Sequence, residues 1–398
     1  MAVRALPVHR TGGLEFHAWD LAGALAARGH EVRLLTSRAP ARPAWEGRAP
    51  DGVTVETLPH GTPGDYSPAF WWGVAGRTRE LARGGACDVV HAQEFAGLFC
   101  RPRGWRGVPL VVTVHGTMFT EVPLDRRYRA RLGTAAKAAA VWRHKARIAL
   151  HPFFVEMLRR ADRVVTDSIF TRRELVRIQP ALGAGAVVVP LGIDAARYQP
   201  GEAAVARAAC QAGGPLTVAL LGRVQRIKGL GVVLDAADLL RRAGTRIRFV
   251  VGGGGADLES LRAEAASRGL GEIVEFHGPV PQDAVGRFLG GADLFLFPDL
   301  TQPAFGLVAV EAFLHGLPVV GARSGAIPEV VTDDAGWLYD AWDAGQLAGL
   351  LERIAADRAG VPQRAAAALD LARHHTAATM AERFEAVALA GFGRRGGG

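Results

Sequence analysis

The chain has 398 residues, 49% of them hydrophobic and 22% charged, with 47 Lys and Arg against 39 Asp and Glu for a formal charge of +8; that length implies two domains, each large enough for its own core. Lysine occurs only at 137, 145 and 228, so the positive charge reads as an arginine bias, and no stretch interleaves basic and aromatic residues on a nucleic-acid module. Cys87, Cys100 and Cys210 are scattered with no Cys-x-x-Cys, no apolar run approaches the roughly 18 residues that span a bilayer, and the N-terminus does not look like a signal peptide; the pattern argues against a disulfide framework and a zinc site, and the expectation is a cytoplasmic protein, soluble or peripheral at the inner face of a membrane.

Met1 to Leu6 supply a short first strand before Pro7. Gly12-Gly13 follow, then a helix with Leu14, Ala18, Leu21 and Leu25 on one face, ending at Gly29, and a strand from Glu31 to Thr36. Such a βαβ unit puts a ligand at the carboxyl ends of its strands, although Gly-Gly alone fits a plain turn equally well. Residues 38–68 read as a loop with one strand, Val53 to Leu58; Asp88 to Gln93 and Pro109 to Val114 are further strands, the last fully apolar as in a parallel sheet. His115, immediately after it, is either a ligand contact or a histidine bonding its own loop.

Residues 123–160 are basic and helical in propensity, and fit either solvated helices or a peripheral membrane surface. Ala161 to Ser168 is a strand, and Thr171-x-x-Glu174 opens a helix as a capping box. Val187 to Pro190 closes the first domain, with residues 199–214 as linker. The second half restarts the pattern. Pro215 to Leu221 is a strand, and the glycine turn after it carries Arg223 and Lys228, two cations that can meet one diphosphate, before a helix from Val232 to Arg242. Gly252 to Gly255 read as a flexible turn, Ile273 to His277 as a strand leading into Gly278-Pro279-Val280, and Asp293 to Phe297 as another strand. A loop then enters a helix from Gly306 to His315, apolar around Glu311 with Leu307, Val308 and His315 on the same face. A lone carboxylate there points to solvent, meets an arginine, or accepts hydrogen bonds from a bound polyol such as a ribose, and the loop amides offer a phosphate site. Residues 335–340 fit an exposed turn and strand, 343–373 a helical stretch interrupted at Gly360-Val361-Pro362, 376–389 a last helix, and 391–398 a disordered tail.

The run FGLVAVEAFLHGLPVV with SGAIPEVV resembles the signature of retaining family 4 glycosyltransferases of GT-B fold, and the other signposts fall in order along essentially the whole chain. They are the glycine loop before LExHxxxLAxxLxxRGHEV, VHGT, GR-x4-KG, and LGID, which is similar to the family's PNGVD with Leu191 for Asn. The resemblance implies two Rossmann-like doubly wound α/β domains facing across a cleft, residues 1–195 on the acceptor side and 196–375 on the nucleotide-sugar side, with 376–398 crossing back as helix and tail. It implies that Gly12 and Gly13 lie against the donor diphosphate, that His115 contacts the transferred sugar, and that Arg223, Lys228 and the amides near Phe305, Gly306, Leu307 and Val308 hold the leaving diphosphate. Glu311 then grips the ribose, the backbone at Gly278 and Val280 reads the base, and Glu15 and His17 are candidate acceptor contacts. The family's Glu-x7-Glu has Pro303 at its first position here, with Gln302 as the nearest polar neighbour. The family also has a longer strand before the glycine loop, so the chain start reads as truncated or misassigned.

The implied activity is retaining glycosyl transfer from a nucleotide-diphosphate sugar to a hydroxyl acceptor, with no metal, no Asp-x-Asp and no other cofactor. A nucleotide-sugar-binding pseudoenzyme and a sugar-nucleotide epimerase of the same fold are the alternatives. No nucleic-acid partner is expected.

Overall fold

The computed structural model describes all residues except 11, 43–46, 60, 62–65, 102–107, 117–150, 199–213 and 391–398. The described residues form two compact units, one of residues up to 116, 151–193 and 377–390, the other of residues 194–376. The linker 199–214 and the tail 391–398 fall outside the described residues, apart from Gly214, as does most of the basic stretch 123–160.

In the first unit the expected opening strand shrinks to one pairing residue. Ala2 bridges Leu35 and Ala92, both in parallel. Helix α1 (Gly13–Ala27) follows, then β1 (Val32–Thr36) beside β2 (Val53–Thr57) and α2 (Pro68–Arg83). Ser67 caps α2 by accepting from the Phe70 amide at 3.2 Å, and Pro68 takes the first turn, where its missing N–H costs nothing. Next come β3 (Val90–Gln93), β4 (Leu110–Val114), a helical stretch 151–160, β5 (Arg163–Thr166), α3 (Ile169–Ile178), α4 (Pro180–Gly185) and β6 (Val187–Val188). The strands pair in the parallel order β3-β4-β5-β6, and Ala2 joins β3 to the β1-β2 pair. Every residue of β3 and β4 is buried, as strands covered on both faces require.

Two expectations for this unit change. Helix α1 buries Glu15, Phe16, His17, Ala18, Trp19, Asp20, Leu21, Ala22 and Leu25, nearly its whole circumference rather than one face, because another helix lies on its outer side. The cap of α3 is Ser168, whose Oγ accepts from the Thr171 amide at 3.0 Å; Thr171 lies inside the helix and does not open a capping box.

The second unit runs β7 (Leu216–Leu221), α5 (Leu230–Arg242), β8 (Ile247–Gly252), α6 (Leu258–Ser267), β9 (Val274–Gly278), α7 (Val285–Leu289), β10 (Leu294–Phe297), α8 (Leu307–Leu314), β11 (Val319–Ala322), α9 (Ile327–Val330), β12 (Gly336–Tyr339), α10 (Ala344–Ala356) and α11 (Gly360–His374). Its sheet is parallel throughout, in the order β12-β11-β10-β7-β8-β9. Phe249, Phe295, Phe313, Leu216, Leu234 and Tyr339 are fully buried around it, each apolar side chain contributing on the order of 2 kcal/mol. β12, expected as exposed, is half covered and ends in the fully buried Tyr339. The break before α11 falls at 357–359, and Pro362 sits within the first turn, where a proline is tolerated. The chain closes with α12 (Ala377–Leu389), which belongs to the first unit and packs on α1.

Both sheets therefore reverse strand order beside their first strand: between Ala2 and β3 in one, between β7 and β10 in the other. Crevices at the carboxyl ends of such switch points bind ligands in open parallel sheets.

Candidate active site

At the switch point of the second unit, Lys228 sits in the turn after β7 and sends Nζ to Oδ2 of Asp299 at 2.6 Å and to Oγ1 of Thr301 at 3.1 Å, both in the loop after β10. Asp299 is 4% exposed, and its Oδ1 also accepts from the amide and hydroxyl of Thr301 at 2.8 and 2.6 Å. The Lys228 turn is pinned by Gly229 (φ +86°), where a Cβ would stand 1.9 Å from the carbonyl oxygen of Pro298; only glycine fits there. Arg223, five residues earlier, is exposed and engages no partner among the described residues. The glycines after β8, expected as flexible, are packed against this turn: a Cβ on Gly253 would lie 1.8 Å from the Gly222 carbonyl oxygen.

The loop after β10 leads into α8, whose N-cap Gly306 provides no side-chain cap, so the first-turn amides point outward from a positive helix end. Phe305 is buried with its ring 5.5 Å from His375. Gln302 holds φ +53° and its amide donates to Ser324 Oγ at 3.1 Å; the carbonyl of Pro303 accepts from the Ala326 amide at 2.8 Å. The position of the expected first glutamate is thus a backbone anchor on the 324–330 segment.

Glu311, on α8, is half-buried rather than turned to solvent. Tyr198 Oη donates to its Oε1 at 2.8 Å, and the charge of Arg197 acts on it. Desolvation pushes the Glu311 carboxyl up to about 7, against those two contacts. Tyr198 itself is buried, its hydroxyl raised well above the ordinary value by burial and then by the Glu311 charge. Sequence reading missed Tyr198, and its only signal was a buried-type aromatic just after the LGID junction. At the C-terminal cap of that helix, His315 Nδ1 lies 2.8 Å from the Glu311 carbonyl oxygen. Gly278 ends β9, buried, with its carbonyl accepting from the Gly253 amide at 2.7 Å, and Val280 is half-buried two residues on.

In the first unit, Gly12 caps α1 and Gly13 begins it. Glu15 is 4% exposed and already ion-paired, its Oε1 accepting from Arg10 Nε at 2.6 Å. His17, one turn along α1, is buried beside His115, which follows β4. Desolvation lowers the His115 imidazole to about 3. So the structure brings Gly12, Gly13, Glu15, His17 and His115 into one unit, and Arg223, Lys228, Gln302, Phe305, Gly306, Leu307, Val308, Glu311, Gly278 and Val280 into the other.

Comparison with known proteins is decisive at this point. Residues 208–368 match the model of glycosyl transferases group 1, and residues 11–197 that of glycosyltransferase family 4. The chain is 33% identical over 374 residues to the D-inositol 3-phosphate glycosyltransferase of Acidothermus cellulolyticus, covering 86% of this chain and 78% of that protein. The chain belongs to the family 4 glycosyltransferases. A second relative of the same name, from Nocardia farcinica, is 31% identical over 87% of this chain and 78% of its own length. Among solved structures, sucrose-phosphate synthase from Thermosynechococcus elongatus superposes with a TM-score of 0.72 at 20% identity, covering 96% of this chain and 94% of that one. The lipopolysaccharide glycosyltransferase WaaG superposes at 0.66 and 18% identity, over 98% and 99%. The fold of this glycosyltransferase is therefore GT-B, as the sequence resemblance implied. Enzymes of this family move a sugar from a nucleotide sugar to an acceptor. Among the described residues, no helix is long and apolar enough to cross a membrane.

Proposed function

We propose that this glycosyltransferase retains anomeric configuration, needs no metal, and takes its sugar from a nucleoside diphosphate held by the second unit. The observation that carries the reading is the meeting of Lys228 with the β10–α8 loop at the sheet's switch point, with Glu311 further along α8. A cation and outward helix amides at that place suit the charge that builds on a leaving diphosphate. Arg223 adds a second cation, exposed and uncommitted among the described residues. Glu311 takes the ribose hydroxyls, exchanging its contact with Tyr198 for them. Gly278 and Val280 present backbone to the base, Gln302 and Phe305 flank the sugar end, and Gly12 and Gly13 serve the diphosphate. His115 is assigned to the transferred sugar by resemblance, and Glu15 and His17 to the acceptor side. Glu15 must leave Arg10 to act there.

A structure superposing at 19% identity was solved with UDP and glucose, Anabaena HepE, and the relatives carry D-inositol 3-phosphate in their names. UDP-glucose and a phosphorylated cyclitol are accordingly the first donor and acceptor to try. The test is a panel of UDP-, GDP- and ADP-sugars with EDTA present, following nucleoside diphosphate release and the stereochemistry of the product. Release from one donor, lost in Lys228→Ala and Glu311→Ala, supports the reading; inversion at the anomeric carbon, or dependence on added metal, overturns that part. Nucleotide binding without turnover under any acceptor favours the pseudoenzyme, and isomerised donor favours the epimerase. Peripheral attachment through 123–160 is the remaining element of the proposal, tested by flotation with anionic vesicles.

A further inference from the structure

The ladder between β4 and β5 places Val114 opposite Thr166, so the next residues on each strand, His115 and Asp167, are neighbours. Both side chains are 1% exposed, and Nδ1 of His115 lies 3.3 Å from Oδ2 of Asp167. The other carboxyl oxygen, Oδ1, accepts from Thr171 Oγ1 at 3.0 Å, and Thr171 Oγ1 accepts from Ser168 Oγ at 3.0 Å. Across the ring, Nε2 of His115 is buried with no partner among the described residues. His17 stands edge-on at 4.8 Å between ring centroids and 75°, and neither of its nitrogens has a described partner. The other ionisable groups acting on His115 or His17 are Arg4, Glu15 and His91, the last with Nε2 2.8 Å from Thr113 Oγ1.

No described cation contacts Asp167. A carboxylate beside a neutral imidazole would leave one net charge in a dry site, at a large desolvation cost. The pair avoids that cost by keeping two hydrogens: one in the Asp167–Nδ1 hydrogen bond, one on Nε2. With the shared proton on oxygen, the acid and the ring are each neutral and Nε2 keeps its hydrogen. Burial pushes the Asp167 carboxyl up to about 8 and the His115 imidazole down to about 3, the protonated acid with a neutral ring.

We propose that Asp167 is the positioning residue of His115: its carboxylic acid donates to Nδ1 and holds the ring hydrogen on Nε2, making His115 a hydrogen-bond donor to an oxygen of the bound sugar. What Nε2 meets rests on the assignment of His115 to the transferred sugar; where the hydrogen sits does not. This polarity is the reverse of a histidine that donates from Nδ1 to a carboxylate and offers a lone pair at Nε2. It gives His115 the part of an oxygen-binding donor rather than a base.

The free, full-length protein with 15N-labelled histidine tests this by long-range 1H–15N correlation at neutral pH, His115 being assigned from the signal lost in His115→Gln. The expected signature is a hydrogen on Nε2 and a bare Nδ1. In Asp167→Asn, the amide oxygen still accepts from Thr171 and the NH2 faces Nδ1, so the same signature is expected. In Asp167→Leu it is replaced by an average of both tautomers. A hydrogen on Nδ1 in the wild type overturns the proposal, as does an unchanged spectrum in Asp167→Leu. If the wild type shows the Nε2 hydrogen but His115→Gln keeps full turnover of UDP-glucose, the positioning stands and the assignment of His115 to the sugar falls.

Discussion

Burial sets the working range of Glu311, and its contact with Tyr198 works against that shift. The carboxyl, near 7 against an ordinary 4.5, is largely neutral in mildly acidic solution, and the carboxylate accepts a ribose hydroxyl hydrogen on each oxygen more strongly than the acid, which turns one oxygen into a donor. Affinity for UDP is therefore expected to weaken by up to about tenfold per pH unit below 7 and to level above it, read by calorimetric titration from pH 5.5 to 8.5. Tyr198→Phe removes a contact that favours the carboxylate, so the midpoint should move to higher pH; a flat profile in the wild type would show that the carboxylate is not used. The sign for stability is opposite. Because the folded value lies above the unfolded one, this group's contribution to stability is present below 4.5 and lost as pH rises through 7. Lys228 carries a paired prediction. Lys228→Ala leaves the buried Asp299 carboxylate without its cation and should cost about 1–3 kcal/mol in denaturant unfolding, while Lys228→Ala with Asp299→Asn should recover most of that stability and still fail to bind nucleotide. Loss of binding without loss of stability in the single variant would mean that the ion pair does not support the fold.

At the scale of elements, the sequence marked strand ends and glycine turns well because these depend on local chemistry. The α8 helix was legible from FGLVAVEAFL, and its observed bounds, Leu307–Leu314, differ from the expected ones by a single residue at each end. Caps were less legible: Thr171-x-x-Glu174 and Ser168-x-x-Thr171 are both plausible starts, and the choice is made by the end of β5, which leaves Ser168 in extended backbone at φ −151° and ψ 163°. Ser168→Ala is expected to destabilise the first unit by about 1 kcal/mol, measured by chemical unfolding; Thr171→Val would instead act through Asp167. The circumference of α1 was misjudged for a related reason. Its apolar pattern marks one face, whereas Trp19, Asp20 and Ala22 are buried too, and α12, more than 300 residues later in the chain, is what packs beside it.

At the scale of the whole molecule, the return of α12 to the first unit ties the end of the chain to its beginning. Ala377 donates its amide to the Ile193 carbonyl at 2.9 Å, Phe384 places its ring 4.3 Å from His91, and Glu385 pairs with Arg28. Phe384→Ala should cost about 3–5 kcal/mol and, by hydrogen exchange, should lower amide protection in α1 and β3 as well as in α12. Protection lost in α12 alone would show that the helix is an appendage rather than part of that core.

The sequence by itself determined the α/β class, the repeated strand–turn–helix rhythm, the family, and the positions where glycine and two cations follow a strand. These are set by residue type and near spacing, and the physics that reads them acts over a few residues. The tertiary structure decided that Lys228 pairs with Asp299, that Glu311 is met by Tyr198, and that His115 lies beside Asp167 across a strand ladder. Each of those pairs is 50 or more residues apart in the chain, and burial makes them strong, since a partner for a desolvated charge is chosen by the fold's geometry and not by the local pattern around it.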